Sequence, residues 1–234
     1  MAKKKRKFEF GTNGDEFKPL AEVLLSDVRQ KYWTQIQLGG PTRELQLDDL
    51  HKDMAKLELN SAVPREVRTG FDTARNLYLY SWFVYRFQTV AELQAYAALD
   101  LALGRRLEAE GVKTIRNLSP RLKFAVQKGW LRADGVRIYR QNSEIRKRHA
   151  ERQDKFFREF LKHENGWQNP DPRSEEQHAA DYIQKLIGGI PKLRNPLAHG
   201  SQMLHSGSEM TLEICCDLIN QLFSEEVGAK FQKS

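Results

Sequence analysis

The stretch that most restricts the fold lies between Pro64 and Gly111. From Phe71 to Phe87 it reads FDTARNLYLYSWFVYRF, with aromatic and aliphatic side chains on nearly every side of a helix. A helix apolar all round needs deep burial or an interface. Thr89 and Glu92 stand three residues apart, the spacing of a capping box. That spacing predicts one helix ending near residue 88 and a second beginning at 90. Leu93, Tyr96, Ala97, Leu101 and Leu107 carry the second to Gly111. Two long helices joined by almost nothing form a tight pair, around which the other segments have to pack.

Those segments also read as helix. Phe17, Leu20, Ala21, Leu24, Leu25, Val28 and Tyr32 recur at three- and four-residue steps, and Gly39-Gly40-Pro41 ends the run. Leu45, Leu47, Leu50, Met54 and Leu57 form a second amphipathic piece. Ser119-Pro120 is a helix start for LKFAVQKGWL, and Ala133-Asp134-Gly135 is a turn. Ser143 to His163 is helical and highly charged. Helical patterns from Ser174 to Leu193 and from Glu209 to Phe223 follow, the first threatened near its end by Gly188, Gly189 and Pro191. No repeat and no parallel-sheet pattern interrupts them. The expected class is all-α: a bundle of four core helices with an N-terminal helical extension and a helical middle insertion. The expected boundaries are a basic tail and extension over 1–63, a helical domain over 64–225 with its insertion at about 112–172, and a tail over 226–234.

Charge bears on partners. The formal net charge is +7, and five cations fall in Lys3, Lys4, Lys5, Arg6 and Lys7, leaving +2 on the rest. Such a tail either keeps the chain soluble or draws polyanions without sequence preference. Arg146, Lys147 and Arg148 open the charged helix, where Glu144, Glu151, Asp154 and Glu159 offset them. That helix either guides nucleic acid or is a solvated, salt-bridged face. No run of eighteen apolar residues is present, so no membrane partner is expected, and MAKKKRKFEF lacks the apolar core of a secretory signal. Cys215 and Cys216 are adjacent, which suits reduced, half-buried helix residues in the cytoplasm.

PKLRNPLAHGS, residues 191–201, concentrates chemistry. On an unbroken helix Arg194 and His199 would diverge by about 140°. Pro196 predicts a break, with Asn195 as N-cap of a new turn, so that the two side chains face one space. An Arg fork suits a phosphate, and a His can take or give a proton near neutrality. With RNA, whose 2′-hydroxyl supplies the nucleophile, this pair suffices for cleavage without metal or cofactor, to a 2′,3′-cyclic phosphate and a 5′-hydroxyl. A two-fold dimer would add a second acid. An ordinary turn, with Arg194 at a helix C-terminus and His199 bonded to a carbonyl, accounts for the same residues.

LRNPLAHG, placed between a third and a fourth bundle helix, resembles the signature of the HEPN superfamily: Arg, a polar residue, then His after a short spacer. The resemblance covers roughly residues 64 to 225, with 71–87 and 90–110 similar to the family's first helix pair and LEICCDLINQLF similar to its last helix. It implies a compact helical bundle, often a homodimer, and metal-independent ribonuclease activity with Arg194 and His199 as catalytic residues and Asn195 tuning them. It also implies a toxin, antiviral or RNA-processing setting with an antitoxin or other regulatory protein as partner. Some members have lost catalysis and act as binding modules, which is the alternative reading here. One branch carries a Tyr two residues after the His, where a partner enzyme modifies it; Ser201 stands there instead.

Other candidates are weaker. Asp100 is expected either to orient Arg194 or to pair with Arg105 or Arg106. His199, His205 and Glu209 follow no recognised metal-ligand spacing. His149, His163 and His178 fall in polar segments. The phosphate-cradling G-x-x-x-x-G-K-[ST], H-E-x-x-H and G-x-S-x-G patterns are absent, which argues against an ATPase, a zinc protease or a serine hydrolase.

Overall fold

A computed structural model of the chain describes residues 15–32, 34–35, 43–159, 171, 173–199 and 207–224. Within them it is all-helical, apart from a two-residue antiparallel pairing of Thr34–Gln35 with Arg43–Glu44. The helices are α1 (Leu47–Ala55), α2 (Arg65–Tyr80), α3 (Phe87–Ala109), α4 (Leu118–Gln127), α5 (Arg137–Glu159), α6 (Glu175–Ala198) and α7 (Ser208–Leu222).

α3 is the centre, and its composition explains why. Ala91, Ala95, Ala98 and Ala102 alternate with Tyr96, Leu99, Leu103 and Leu107, and all eight are buried. Small residues let neighbouring helices come close on several sides, and the large ones fill the gaps between them. α2, α4, α6 and α7 all pack on α3. α2 contributes Val67, Phe71 and Ala74, and α7 contributes Leu212, Cys215, Leu218, Ile219 and Leu222. Each fully buried aliphatic or aromatic side chain here stabilises the fold by about 1.5–3 kcal/mol. Met54, Leu57 and Val63 carry this core into the first third of the chain, and Leu122, Ala125, Leu131 and Val136 carry it into the stretch expected as an insertion.

The tight pair exists, but its break lies elsewhere. α2 ends at Tyr80 and α3 starts at Phe87. Thr89 is inside α3, its hydroxyl donating to the Arg86 carbonyl at 2.9 Å, and Glu92 is buried and accepts from the Ser208 hydroxyl. The expected capping box is therefore not formed. Bonds from distant residues fix the corner instead. The Asp27 N–H donates to the Trp82 carbonyl at 2.8 Å, Gln30 Nε2 donates to the Ser81 carbonyl at 3.0 Å, and the Tyr85 N–H donates to the Asp27 carboxylate at 3.1 Å.

The same bonds correct the expectation for residues 17–32. No α-helix forms there, only two short 3-10 turns, Leu20–Glu22 and Val28–Tyr32. Asp27 and Gln30 are the residues this strap buries, while Phe17, Leu20 and Leu24 are exposed. Its attachment is polar, so the apolar spacing misleads.

Polar anchors also place the later helices. The Asp217 carboxylate of α7 accepts the Arg137 N–H at 2.8 Å and Arg137 Nε at 2.8 Å, which satisfies a donor at the open N-terminus of α5. Glu175 accepts from the Tyr139 and Ser143 hydroxyls, both at 2.7 Å, and from Arg146 at 3.0 Å, joining α5 to the start of α6. Ser174 and Gln177 form a reciprocal cap there. Among the described residues no helix is long and apolar enough to cross a membrane.

Candidate functional site

α6 delivers the Arg–His pair, and it does so without a break. The helix runs from Glu175 through Pro191 and Pro196 to Ala198. The His199 N–H closes its last turn on the Asn195 carbonyl at 3.1 Å. Asn195 is therefore a helical residue and not the N-cap of a new turn. Each proline removes one amide donor, so the helix gives up two bonds. Burial makes up for them: Ile183, Ile187 and Ile190 are in the core, and Leu197 packs against it. The turn between the prolines is exposed, so water can satisfy the carbonyl that Pro196 leaves unbonded.

Continuity sets the geometry. Arg194 and His199 stand five residues apart on one helix, about 140° around the axis. Within one chain they do not converge. Both side chains are exposed. Asn195 Oδ1 lies 3.5 Å from Arg194 Nη1, at the limit of a hydrogen bond. No carboxylate lies within ion-pairing distance of Arg194 or His199 among the described residues. A guanidinium and an imidazole left open in this way are available to a phosphate or to a second protein surface.

The remaining candidates scatter. Lys3, Lys4, Lys5, Arg6 and Lys7 lie outside the described residues, as do His163, Ser201 and His205. Arg146 binds Glu175 at 3.0 Å and Arg148 binds Glu144 at 3.2 Å, while Lys147 is exposed. Further along α5, Arg158 pairs with Asp154 at 2.8 Å. Asp100 pairs with neither expected partner nor with Arg194. Its carboxylate takes Arg121 Nη1 at 2.8 Å and ties α4 to α3. Arg105 pairs with Glu66 and Glu108, and buried Arg106 binds Glu110 and lies 4.7 Å over the Trp130 ring. His178 Nε2 stands 3.5 Å from Asp171.

Cys215 and Cys216 are free thiols, fully rather than half buried. Burial pushes both thiols up, Cys216 to about 12. They are inert at neutral pH. Among the described residues no three His, Cys, Asp or Glu side chains are grouped to hold a metal ion. A groove of about 610 Å³ opens between α5 and α6, lined by Leu131, Tyr139, Ser143, Lys147, Glu175 and Ile183. Arg194 and His199 are not part of it.

One set of cations went unread in the sequence. Between Gly111 and Ala133 there is no Asp or Glu, and between Tyr182 and His199 there is none either. A scan for missing acids, rather than for runs of bases, would have found both stretches. Comparison with protein-family models, with curated proteins and with solved structures finds no match to this chain.

Proposed function

We propose that this chain is a metal-independent endoribonuclease of HEPN type. The observation that carries the reading is the state of Arg194 and His199. Both are exposed at the end of one bundle helix, and no acid among the described residues neutralises either. A structural Arg–His pair would be spent on internal partners.

The divergence of the two side chains bears on the mechanism. One copy cannot aim both groups at a single phosphate, so the active unit is a homodimer in which Arg194 of one copy works beside His199 of the other. In each of the two sites His199 takes the 2′-hydroxyl proton as the 2′-oxygen attacks the adjacent phosphorus. Arg194 of the other copy holds the charge that builds on the phosphorane oxygens. The bond to the 5′-oxygen breaks, and the same imidazole, now an imidazolium, returns its proton to that oxygen. The products are a 2′,3′-cyclic phosphate and a 5′-hydroxyl. Asn195, within reach of Arg194, steadies the guanidinium.

The test is cleavage of mixed cellular RNA in EDTA by wild type, His199→Ala and Arg194→Ala. Loss of a general acid–base group lowers the rate by about 10²–10⁴-fold. Cleavage by wild type alone, leaving cyclic-phosphate ends, is expected; equal cleavage by all three proteins would overturn the assignment. The same 140° divergence favours the second reading, a non-catalytic helical module that binds a partner protein or nucleic acid. Absence of cleavage by any of the three, with an intact fold, supports that reading.

A further inference from the structure

We propose that the outward surface of α4 and the second half of α6 is a track for the sugar–phosphate backbone of single-stranded RNA. The inference deepens the ribonuclease reading and rests on it for the choice of RNA.

Three observations meet here. The first is register. Because α6 is unbroken, residues seven apart fall within about 20° of one another around its axis, roughly 10.5 Å apart along it. Lys185, Lys192 and His199 are spaced by seven and seven. They form one exposed stripe that ends on the candidate catalytic imidazole. The second is neighbourhood. α4 packs against α6, and both bury their inner faces on α3. α4 brings exposed Lys123 and Lys128, the latter with Nζ 5.5 Å from the Phe124 ring centre. The third is the absence of counter-charge. Lys123, Lys128, Lys185 and Lys192 have no carboxylate within ion-pairing distance among the described residues. On α5, by contrast, Arg146, Arg148, Lys155 and Arg158 all face acids. Cations already paired release fewer counterions on binding a polyanion, so α5 is the weaker attractor.

The chemistry around the stripe selects the ligand. A membrane-binding helix needs an apolar face free to enter lipid, but the apolar face of α6, Ile183, Ile187 and Ile190, is spent on the core. A protein partner needs a buried apolar or aromatic centre, and among the described residues of α4 and α6 the one exposed large apolar side chain, Leu193, stands between Lys192 and Arg194. Among the described residues of α4 and α6 the two aromatic rings, Phe124 and Tyr182, are partly buried, and Lys128 lies beside the first, so RNA is held chiefly by its phosphates and sequence preference is weak.

The experiment measures binding apart from cleavage. The probe is a fluorescein-labelled single-stranded oligoribonucleotide with 2′-O-methyl riboses, which cannot be cut through the 2′-oxygen. Anisotropy is followed against salt for wild type, Lys185→Glu/Lys192→Glu, Lys123→Glu/Lys128→Glu, the matching Lys→Gln pairs, and Lys147→Glu/Arg148→Glu. Melting curves and helical circular dichroism accompany each protein, and the Gln pairs decide should a Glu pair fail to fold. Each α4 or α6 pair is expected to weaken binding by about tenfold or more and to flatten the log–log salt slope by about 0.7 for each phosphate that is no longer neutralised. The α5 pair is expected to change it far less. Unchanged binding by the α4 and α6 variants, or a larger loss from the α5 pair, overturns the inference. So does failure of wild type to bind RNA while it sediments with phosphatidylserine vesicles. Cleavage of ordinary RNA on the same preparations separates the two ideas. Binding through this face without cleavage removes the ribonuclease reading and leaves the track. Cleavage that the lysine variants leave intact, with intact binding, removes the track and leaves the ribonuclease.

Discussion

At the scale of single residues, carboxylates decide more of this structure than their number suggests. Asp217 is nine-tenths buried and accepts two bonds from Arg137, one of them from the backbone N–H that opens α5. Asp217→Ala is expected to cost about 1–3 kcal/mol, because it strands a helix-terminal donor and leaves the half-buried Arg137 guanidinium with only the longer contact to Glu213, at 3.4 Å. A drop in the urea midpoint without a change in slope would show it; an unchanged midpoint would mean that water replaces the carboxylate at no loss. Asp100 teaches a related lesson. Its sequence neighbours offered two arginines, yet it reaches Arg121, twenty-one positions away, because α4 folds back over α3. A partner chosen by the fold is invisible in local sequence, and so is the bearing of Arg194 on His199: Pro196 predicted a break that would let them face one space, and the unbroken α6 sets them apart.

Helices were legible where one face had to be buried. Leu47, Leu50 and Met54 gave α1, and Leu212, Cys216, Ile219 and Leu222 gave α7 nearly to the residue. Two failures have physical causes. The strap at 17–32 carries a helical rhythm of apolar residues, but polar bonds from Asp27 and Gln30 dock it, and no neighbour covers the apolar side. At Pro191 and Pro196 local preference predicted an ending, and the packing of Ile187, Ile190 and Leu197 outweighed it. That contest has a measurable margin. An interior proline costs up to about 3 kcal/mol against alanine. Pro191→Ala is therefore expected to raise the melting temperature. A lowered melting temperature would mean that the proline ring, half-buried where it sits, packs better than a methyl group.

For the molecule as a whole, two outcomes follow. Asp27, Asp171 and Glu175 titrate below their ordinary range. Burial opposes this at Asp27, but Arg29 and two backbone donors prevail; Arg173 holds Asp171 down, and the Tyr139 and Ser143 hydroxyls hold Glu175 down. Groups with lowered folded pKa bind protons more readily when unfolded. Their stabilisation is full above the unfolded values of 3.8 and 4.5 and is lost as pH falls through the folded ones. Glu209 works the other way, since burial raises it. The urea midpoint is expected to decline steadily below about pH 4.5; a midpoint flat to pH 3 would count against these pairings in solution. The second outcome concerns the dimer. Mixing Arg194→Ala with His199→Ala protein should restore roughly a quarter of wild-type cleavage, because half of randomly assorted dimers hold one intact Arg–His combination of two. No recovery would place both groups of each site on one chain.

The prolines of α6 have a consequence in time as well as in space. Pro191 and Pro196 have no amide to exchange, and the carbonyls they face hold no helical proton in place. Gly188 and Gly189, with open space where their side chains would be, add to the entropy gained when this stretch unwinds. Its amides are expected to exchange with deuterium by local opening, well before those of α3 and α7, which wait for global unfolding. The arginine and histidine thus ride on a segment whose clock runs faster than that of the core. Their bearing on one another is renewed many times within the lifetime of a single folded molecule.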